Sequence, residues 1–175
     1  MIAYHDGEWG VPCHDDVELF ERLALESFQA GLSWSTILNK RPSFRSAFRG
    51  FDPDVVARFD DTDRARLMAD AGIVRNRAKI DATIGNAEAF MATARDFGSF
   101  DAYLASMVPG PPARMAIWAT PADVPATTPA SDGLSRDLRR RGYRFVGSTI
   151  VYAFMQSVGL VDDHLPGCFR YGVTR

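Results

Sequence analysis

Glu26 is a carboxylate on what the sequence predicts to be an apolar helix face. Leu19, Leu23 and Ala30 lie seven, three and four residues from it, so one side of a helix carries all four. An ionised carboxylate is costly to bury unless it is paired or used. Trp34 follows one helical turn after Ala30. The two side chains could form a pocket for a flat, cationic ligand that makes hydrogen bonds. The alternative is that Glu26 reaches solvent or pairs with an arginine.

Two aromatic residues near the start of the chain could contribute to the same kind of pocket. Tyr4 and Trp9 stand beside a glutamate in the segment AYHDGEWG. Their rings can stack on a ligand, and their polar atoms can make hydrogen bonds. Such residues are more often part of a core.

Histidine and cysteine residues near the two ends of the sequence suggest a metal site. His164 and Cys168 have the H-x3-C spacing that suits zinc, and His5 could be a third ligand. A structural zinc site needs a fourth ligand, for which Cys13 and His14 are candidates. The alternative is that these are unrelated polar or core positions.

The segment 131–159 is predicted to form a helix, a tight hairpin and a second helix. Two glycines bracket the hairpin, which spans 142–147. The backbone N–H groups of Gly147, Ser148 and Thr149 would be free at the start of the second helix, where they could bind one phosphate without reading sequence. An ordinary helical hairpin with glycine caps would have the same pattern.

Charge supports a local rather than a general affinity for polyanions. The net charge of −2 argues against non-specific binding by the whole surface. The chain has 18 arginines but only two lysines, and arginine suits bidentate phosphate contacts, although GC-rich coding would give the same bias. Several arginines lie close together beside the hairpin: Arg136, Arg139, Arg140, Arg141 and Arg144. This cluster is compatible with a nucleic-acid face.

The candidate residues lie in segments with helix signals, and period-2 strand patterns are nearly absent from the sequence. The predicted helices run from Asp15 or Asp16 to about Ala30, from Trp34 to Asn39, from Arg41-Pro42 to Gly50, from Asp52-Pro53 to Phe59, from Asp61 or Thr62 to Gly72, from Asn76 to Gly98, from Ser99 to Met107, from Ser131 to Gly142, and from Ser148 onwards. The predicted class is all-α. A proline-rich stretch is expected to be a lobe boundary or crossover, because it cannot be helical throughout: Pro109, Pro111, Pro112, Pro121, Pro125 and Pro129.

Length and composition are those of an ordinary globular protein. The 175 residues suffice for one domain or two small lobes, with 46% hydrophobic and 24% charged residues. No apolar run approaches the roughly 20 residues that span a bilayer, and we expect no signal peptide. Two cysteines cannot form a disulfide framework, so we expect a reducing, cytoplasmic setting.

A series of motifs then carries a family resemblance over nearly the whole chain: IAYHDGEWGVP, LESFQAGLSWSTIL, FDPDVVA, DAGIVRNRAKI, IGNAEA, SDGLSRDLRRRGYRFVGSTIVYAFMQSVGLVDDH and the H-x3-C ending. In this order they resemble the DNA-3-methyladenine glycosylase I family of bacterial base-excision repair enzymes. The resemblance implies an all-α, two-lobed helix-hairpin-helix glycosylase fold with a base pocket between the lobes. It implies a single glycosylase domain over residues 1–175, with the helix-hairpin-helix at about 131–159 and an irregular zinc-tethered tail at about 160–175.

The resemblance also implies roles for individual residues. Glu26 corresponds to the family's base-recognition carboxylate, and Tyr4 and Trp34 correspond to aromatics that contact the extruded methylated adenine. Gly31 and Leu32 correspond to the turn that presses into the DNA stack.

Two further sites follow from the same resemblance. The hairpin, with Gly142, Arg144, Gly147 and Ser148 as its contacts, corresponds to the DNA anchor. Three zinc ligands are implied: His5, His164 and Cys168. Family members usually begin with a further segment whose cysteine is the fourth ligand, and this sequence begins at the IAYHD motif itself.

The implied activity is that of a monofunctional glycosylase acting, as a monomer, on double-stranded alkylated DNA. Lys40 and Lys79 are the only candidates for a Schiff-base lyase. We interpret Asp162 and Asp163 as turn or helix-end residues rather than hydrolytic groups. Two other hypotheses remain: a non-catalytic DNA-binding module would need only the hairpin, and a zinc-tethered structural protein would need only the metal ligands.

Overall fold

The computed structural model describes residues 1–110, 113–114 and 120–173, and it confirms the all-α class. In these residues the α-helices are α1 (Ile2–Gly7), α2 (Asp16–Gln29), α3 (Trp34–Ala47), α4 (Pro53–Val56), α5 (Asp61–Ala69), α6 (Arg77–Phe97), α7 (Phe100–Met107), α8 (Pro129–Arg140) and α9 (Ser148–Ser157). Two short 3-10 helices span Arg49–Phe51 and Pro121–Asp123. Strand β1 (Ala113–Arg114) pairs in parallel with β2 (Val161–Asp162).

Side-chain caps start the helices where the sequence predicts them. Asp15 accepts a hydrogen bond from the backbone N–H of Glu18 at the start of α2. Asn76 and Ser99 cap α6 and α7 in the same way, through bonds to residues three positions later. Gly98, with a φ of +92°, ends α6 as expected.

Two predicted helix starts are wrong. Pro42 lies inside α3 and does not start a new helix. Ile37 and Phe44 are seven residues apart on one buried face, so their packing carries the helix across the proline. Helix α8 begins at Pro129 rather than Ser131, because Thr128 and Ser131 form a reciprocal capping box around a proline at the first helical position.

Helix α1 was not predicted from the sequence. It has six residues and none of them is buried, so it lacks the apolar stripe by which helices are recognised. The backbone of Trp9 and Glu8 bonds back to the carbonyl of Tyr4, which ends the helix.

The core is built mainly from phenylalanine and aliphatic residues of α2, α3, α6 and α9. Ile80, Ile84 and Ala87 of the predicted α6 stripe are buried, and Phe90 extends it. Helix α8 packs against α9, and α9 packs against α2. These contacts place α2, which carries Glu26, in the middle of the molecule.

The connection between α7 and α8 is not α-helical in its described parts, as its prolines predict. Pro111 and Pro112, and the last two residues of the predicted tail, lie outside the described residues. The assignment of this connection as a lobe boundary stays a prediction. None of the described helices combines the length and the apolar character that crossing a bilayer requires.

Candidate functional site

A cavity of about 310 Å³ lies against α1, α2, α3 and α9. Its walls include the three residues implied for base binding, together with residues from both ends of the chain. The lining residues are Met1, Tyr4, His5, Trp9, Glu26, Gln29, Trp34, Ala153 and Gln156. The cavity has the size of a small-molecule site, with aromatic walls and few polar groups.

Glu26 is the one acidic side chain in this lining, and it is 5% exposed. Within the described part of the chain it has neither a hydrogen-bond donor nor an ion-pair partner for its side chain. Burial raises the pKa of Glu26 from its ordinary 4.5 to about 8. The alternative, in which Glu26 reaches solvent or pairs with an arginine, is therefore wrong, and its carboxyl group is available to a ligand in the cavity.

The arginine-paired glutamate of α2 is Glu21 instead. Its carboxylate accepts from Nε of Arg41 at 2.6 Å and from Nε of Arg45 at 2.8 Å. Arg41 also donates to Glu8 at 2.6 Å. This network, centred on the buried Glu21, fastens the segment after α1 to α2 and α3, and so fixes Tyr4 opposite Trp34.

Tyr4 and Trp34 form the aromatic wall. Their ring centroids are 5.4 Å apart, and the planes are tilted by 52°. Burial, and next the nearby Glu26 carboxylate, raise the pKa of Tyr4 well above its ordinary value, so its hydroxyl stays a hydrogen-bond donor. Trp34 is the first residue of α3, which Ser33 caps. A flat ring in the cavity would therefore meet an indole, a phenol and a carboxyl group.

The turn between α2 and α3 projects outward beside the cavity. Gly31 has a φ of +84°, which favours glycine, and Leu32 is 41% exposed. Gln29, one residue before the turn begins, lines the cavity. An exposed leucine at this position fits a group that enters DNA where a base has left.

Both lysines bind backbone carbonyl groups. The Nζ of Lys79 donates to the carbonyls of Phe28 and Ala30, and that of Lys40 donates to the carbonyls of Ala71 and Gly72. Neither lines the cavity. That the enzyme is monofunctional stays a prediction.

The connection between α8 and α9 is a tight turn held from inside the protein. Gly142, with a φ of +95°, ends α8 in a Schellman motif, in which the N–H of Tyr143 reaches the carbonyl of Leu138. The side chain of Asn86 makes two hydrogen bonds to the backbone of Arg144, at 2.8 and 2.9 Å. The turn is thus fixed to α6.

The N-terminus of α9 presents free backbone donors. Gly147 is the N-cap and provides no side-chain cap. The described hydrogen bonds give no acceptor for the N–H groups of Gly147, Ser148 and Thr149. The hydroxyl of Ser148 bonds to Ser131 and donates to Asp132. Free N–H groups at a helix start suit one phosphate.

The predicted arginine cluster divides into two sets. Arg140 and Arg141 form ion pairs with Asp137, so their charge is largely matched inside the protein. Arg136, Arg139 and Arg144 are exposed, and in the described ion pairs they have no acidic partner. The second set therefore supplies the free positive charge beside the turn.

His5, His164 and Cys168 come together as predicted, from opposite ends of the sequence. Their ligand atoms all lie within 4.8 Å of one another, and Sγ of Cys168 is 3.4 Å from Nε2 of His5. The Nε2 atom of His164 is buried and has no hydrogen-bond partner. A buried, unpaired imidazole nitrogen facing a thiol and a second imidazole fits a zinc ligand set.

The histidines are also oriented by carboxylates. Nδ1 of His5 is 2.8 Å from Asp6, and Nδ1 of His164 is 3.0 Å from Asp162. This arrangement is typical of metal-binding histidines, because it directs Nε2 at the ion. A Cβ atom on Gly10 would lie 2.5 Å from the His164 ring, so the glycine makes room for it.

Neither candidate for the fourth ligand joins this cluster. The thiol of Cys13 lies 3.5 Å from Glu18, and Nδ1 of His14 is 3.0 Å from Asp101. In the described residues the group of possible metal ligands has three members.

Comparisons with known proteins identify the family. The model of the methyladenine glycosylase family matches residues 1–171. The chain is 48% identical to DNA-3-methyladenine glycosylase 1 of Escherichia coli strain K12, over 97% of this chain and 90% of that protein. This chain belongs to the methyladenine glycosylase family. It is 44% identical to the DNA-3-methyladenine glycosylase of Haemophilus influenzae, over 95% of this chain and 90% of that protein.

A solved structure of a family member supports this assignment over nearly the whole chain. The structure of 3-methyladenine DNA glycosylase I from Staphylococcus aureus, which concerns recognition of 3-methyladenine, superposes with a TM-score of 0.94. The identity is 36%, over 99% of this chain and 92% of that one.

Two aspartates of the glycosylase lie elsewhere than the sequence suggested. We expected Asp162 and Asp163 at a turn or helix end, but Asp162 is in β2 and both are buried. Asp163 accepts hydrogen bonds from the Tyr152 hydroxyl and from the Gln156 amide, each at 2.6 Å. It thereby orients a residue of the cavity wall.

Sequence reasoning missed several residues that support the glycosylase site. Gln29 and Gln156 gave no signal, because a single glutamine on a helix is ordinary. Asn86 was detectable as a polar residue beside the apolar stripe of α6. Lys79 was considered only as a lyase candidate, and its contacts with the end of α2 were missed.

Proposed function

We propose that this chain removes 3-methyladenine from alkylated double-stranded DNA by hydrolysing its N-glycosidic bond, which leaves an abasic site. The single observation that carries the proposal is the buried, unpartnered Glu26 beside Tyr4 and Trp34 in a cavity of about 310 Å³. The names of the relatives agree with this substrate.

Discrimination between damaged and normal bases would be electrostatic. A base inside a duplex must be extruded to reach the cavity. A 3-methyladenine nucleotide carries positive charge, which offsets the cost of an ionised Glu26 in a buried site. Neutral adenine brings no such compensation, so the same carboxyl group disfavours it. Trp34 offers an aromatic face to the cation.

The outer surface would hold the DNA around this cavity. Leu32, on the projecting turn, would fill the space of the extruded base. The free N–H groups at Gly147 and Ser148 would bind a phosphate, with Arg144 beside them, as in a helix-hairpin-helix anchor. These contacts do not read sequence, which suits an enzyme that must find damage anywhere.

Zinc is a further part of the proposal. His5, His164 and Cys168 would hold the ion, which would supply a structural cross-link between α1 and the C-terminal tail. His5 follows Tyr4 directly in α1, so the cross-link would also steady the aromatic wall. Monomeric action and a cytoplasmic location remain predictions.

An excision assay tests the proposal. Duplex DNA treated with a methylating agent should release free 3-methyladenine when incubated with the protein, and the product should keep an intact backbone until alkali or heat is applied. A DNA-binding module or a zinc-tethered structural protein would release no base. Strand cleavage by the protein before alkali or heat is applied would show a lyase activity and contradict the monofunctional assignment.

A further inference from the structure

The turn between α2 and α3 has little support on its outer side. A Cβ atom placed on Gly31 would meet no heavy atom within 4 Å, and Leu32 is 41% exposed. Within the turn, the N–H of Leu32 bonds to the carbonyl of Gln29 at 2.6 Å. The turn must therefore be held in shape from the protein side.

That support comes from Lys79, near the start of α6. Its Nζ donates to the carbonyl of Phe28 at 2.8 Å and to that of Ala30 at 2.7 Å, and the side chain is 7% exposed. The last carbonyls of a helix lack intrahelical donors, and a cation there is favoured by the helix dipole. No backbone N–H of the described chain bonds to either carbonyl outside the helix.

The partners of this ammonium group are unusual for a buried lysine. The described ion pairs include no carboxylate for Lys79, and burial lowers the pKa of its side chain. A buried cation without a counter-ion is costly. Its two strong hydrogen bonds to the end of α2 offset that cost, which ties the position of the ammonium group to the shape of the turn.

We propose that Lys79 is a positioning residue for opening DNA: it fixes the end of α2 so that Leu32 is presented to the base stack. The inference rests on the function proposed above, in which Leu32 fills the space of the extruded base. Lys79 itself lines no part of the cavity, so it acts through the turn and not on the base.

The test compares Lys79→Met with Lys40→Met. Lys40 is the matched control, because its Nζ also donates to two carbonyls, those of Ala71 and Gly72 at 3.0 and 3.1 Å, away from the turn and the cavity. Two affinities are measured for each protein: for duplex DNA with a stable abasic-site analogue, and for free 3-methyladenine. Circular dichroism sets a temperature at which all the proteins are folded.

We expect Lys79→Met to bind abasic DNA about tenfold more weakly, or worse, while its affinity for free 3-methyladenine changes by less than about twofold. Lys40→Met should leave both affinities unchanged. Equal losses in the two variants, or unchanged binding of abasic DNA by Lys79→Met, would overturn the proposal. If Lys79→Met does not fold, Lys79→Gln, which removes the positive charge at the end of α2, takes its place, and a loss in the same direction is expected.

A double-mutant cycle with Leu32→Ala tests independently whether Lys79 acts through Leu32. If Lys79 acts through Leu32, its substitution should cause almost no further loss of abasic-DNA affinity once the leucine is gone. Additive losses would show that Lys79 acts elsewhere. The excision assay separates this result from a failure of the proposed function, because the abasic-DNA comparison needs no base release.

Discussion

At the scale of single residues, two glutamates of α2 show how environment assigns different roles to one side chain. Glu21 and Glu26 are both almost fully buried. Glu21 meets Arg41 and Arg45, and these ion pairs give it a structural role. Glu26 meets aromatic rings and an open cavity, and burial raises its pKa to about 8. A perturbed carboxyl group in a cleft is the usual mark of a functional site.

Glu26→Gln should reduce excision of 3-methyladenine by about tenfold or more, because hydrogen bonds to a charged group contribute about 1.5–3 kcal/mol. In the wild type, kcat/KM should rise with pH until about 8, where the carboxyl group ionises, and then level off. The variant should lack this rise. Excision kinetics across the pH range provide the measurement, and full activity of the variant would contradict the role of Glu26.

The same substitution should stabilise the protein at high pH. The pKa of Glu26 is raised from 4.5 to about 8, so the folded state holds this proton more tightly than the unfolded chain. The stabilisation is complete below 4.5 and is lost as pH rises through about 8. Glutamine does not titrate, so urea unfolding should show the variant gaining stability relative to wild type between about pH 5 and about pH 9. A constant difference would contradict an unpaired carboxyl group.

At the scale of elements, the turn between α8 and α9 uses its carbonyl and N–H groups differently. Its carbonyls are bound by the protein: Ser27 donates to Phe145, and Ser135 donates to Val146. In the described part of the chain, its N–H groups at the start of α9 have no acceptor. This asymmetry presents donors in a fixed geometry, which lowers the entropic cost of binding phosphate.

Gly147→Pro tests those donors, and Gly147→Ala is its matched control. The φ of −62° at Gly147 suits proline, and a Cβ atom there makes only an ordinary contact, 3.5 Å from Arg139. The proline variant loses the N–H, whereas the alanine variant keeps it. Proline should weaken DNA binding by about tenfold for all sequences without changing the salt slope, since no charge is lost. Fluorescence anisotropy at several salt concentrations measures both; equal affinities for the two variants would place the anchor elsewhere.

At the scale of the whole molecule, the proposed zinc site joins residues that are far apart in the sequence. His5 lies in α1, and His164 and Cys168 lie in the tail after β2. An ion shared among them would close most of the chain into one loop and restrict the unfolded ensemble. The cavity borders this site, because His5, Trp9 and Gln156 line both the cavity and the pocket around the metal ligands.

Cys168→Ser should lower zinc content and thermal stability together, with a smaller effect on the preference for 3-methyladenine. Cys13→Ser is the control, because Cys13 is buried beside Glu18 and outside the ligand group. Metal analysis and thermal unfolding with and without a chelator provide the measurement. A wild-type protein without zinc, and with a melting temperature that a chelator does not change, would contradict the proposed site.

The local parts of this fold could be predicted from the sequence. Caps such as Asp15, Asn76 and Ser99 bond to groups three residues away, so the local sequence is enough to predict where these helices start. The order of motifs along the chain likewise identified the family. Where a boundary was wrong, as at Pro42, a non-local contact of Ile37 and Phe44 with the core outweighed the local signal.

The long-range partners of the charged side chains were decided by the tertiary structure. The sequence places Glu26 on an apolar helix face, but it does not show that Arg41 and Arg45 pair with Glu21 and leave Glu26 without a partner among the described residues. Lys79 likewise gains its role only because α6 lies behind the end of α2. Electrostatic interactions depend on distance and burial, and for side chains far apart in the sequence both are set by how the helices pack.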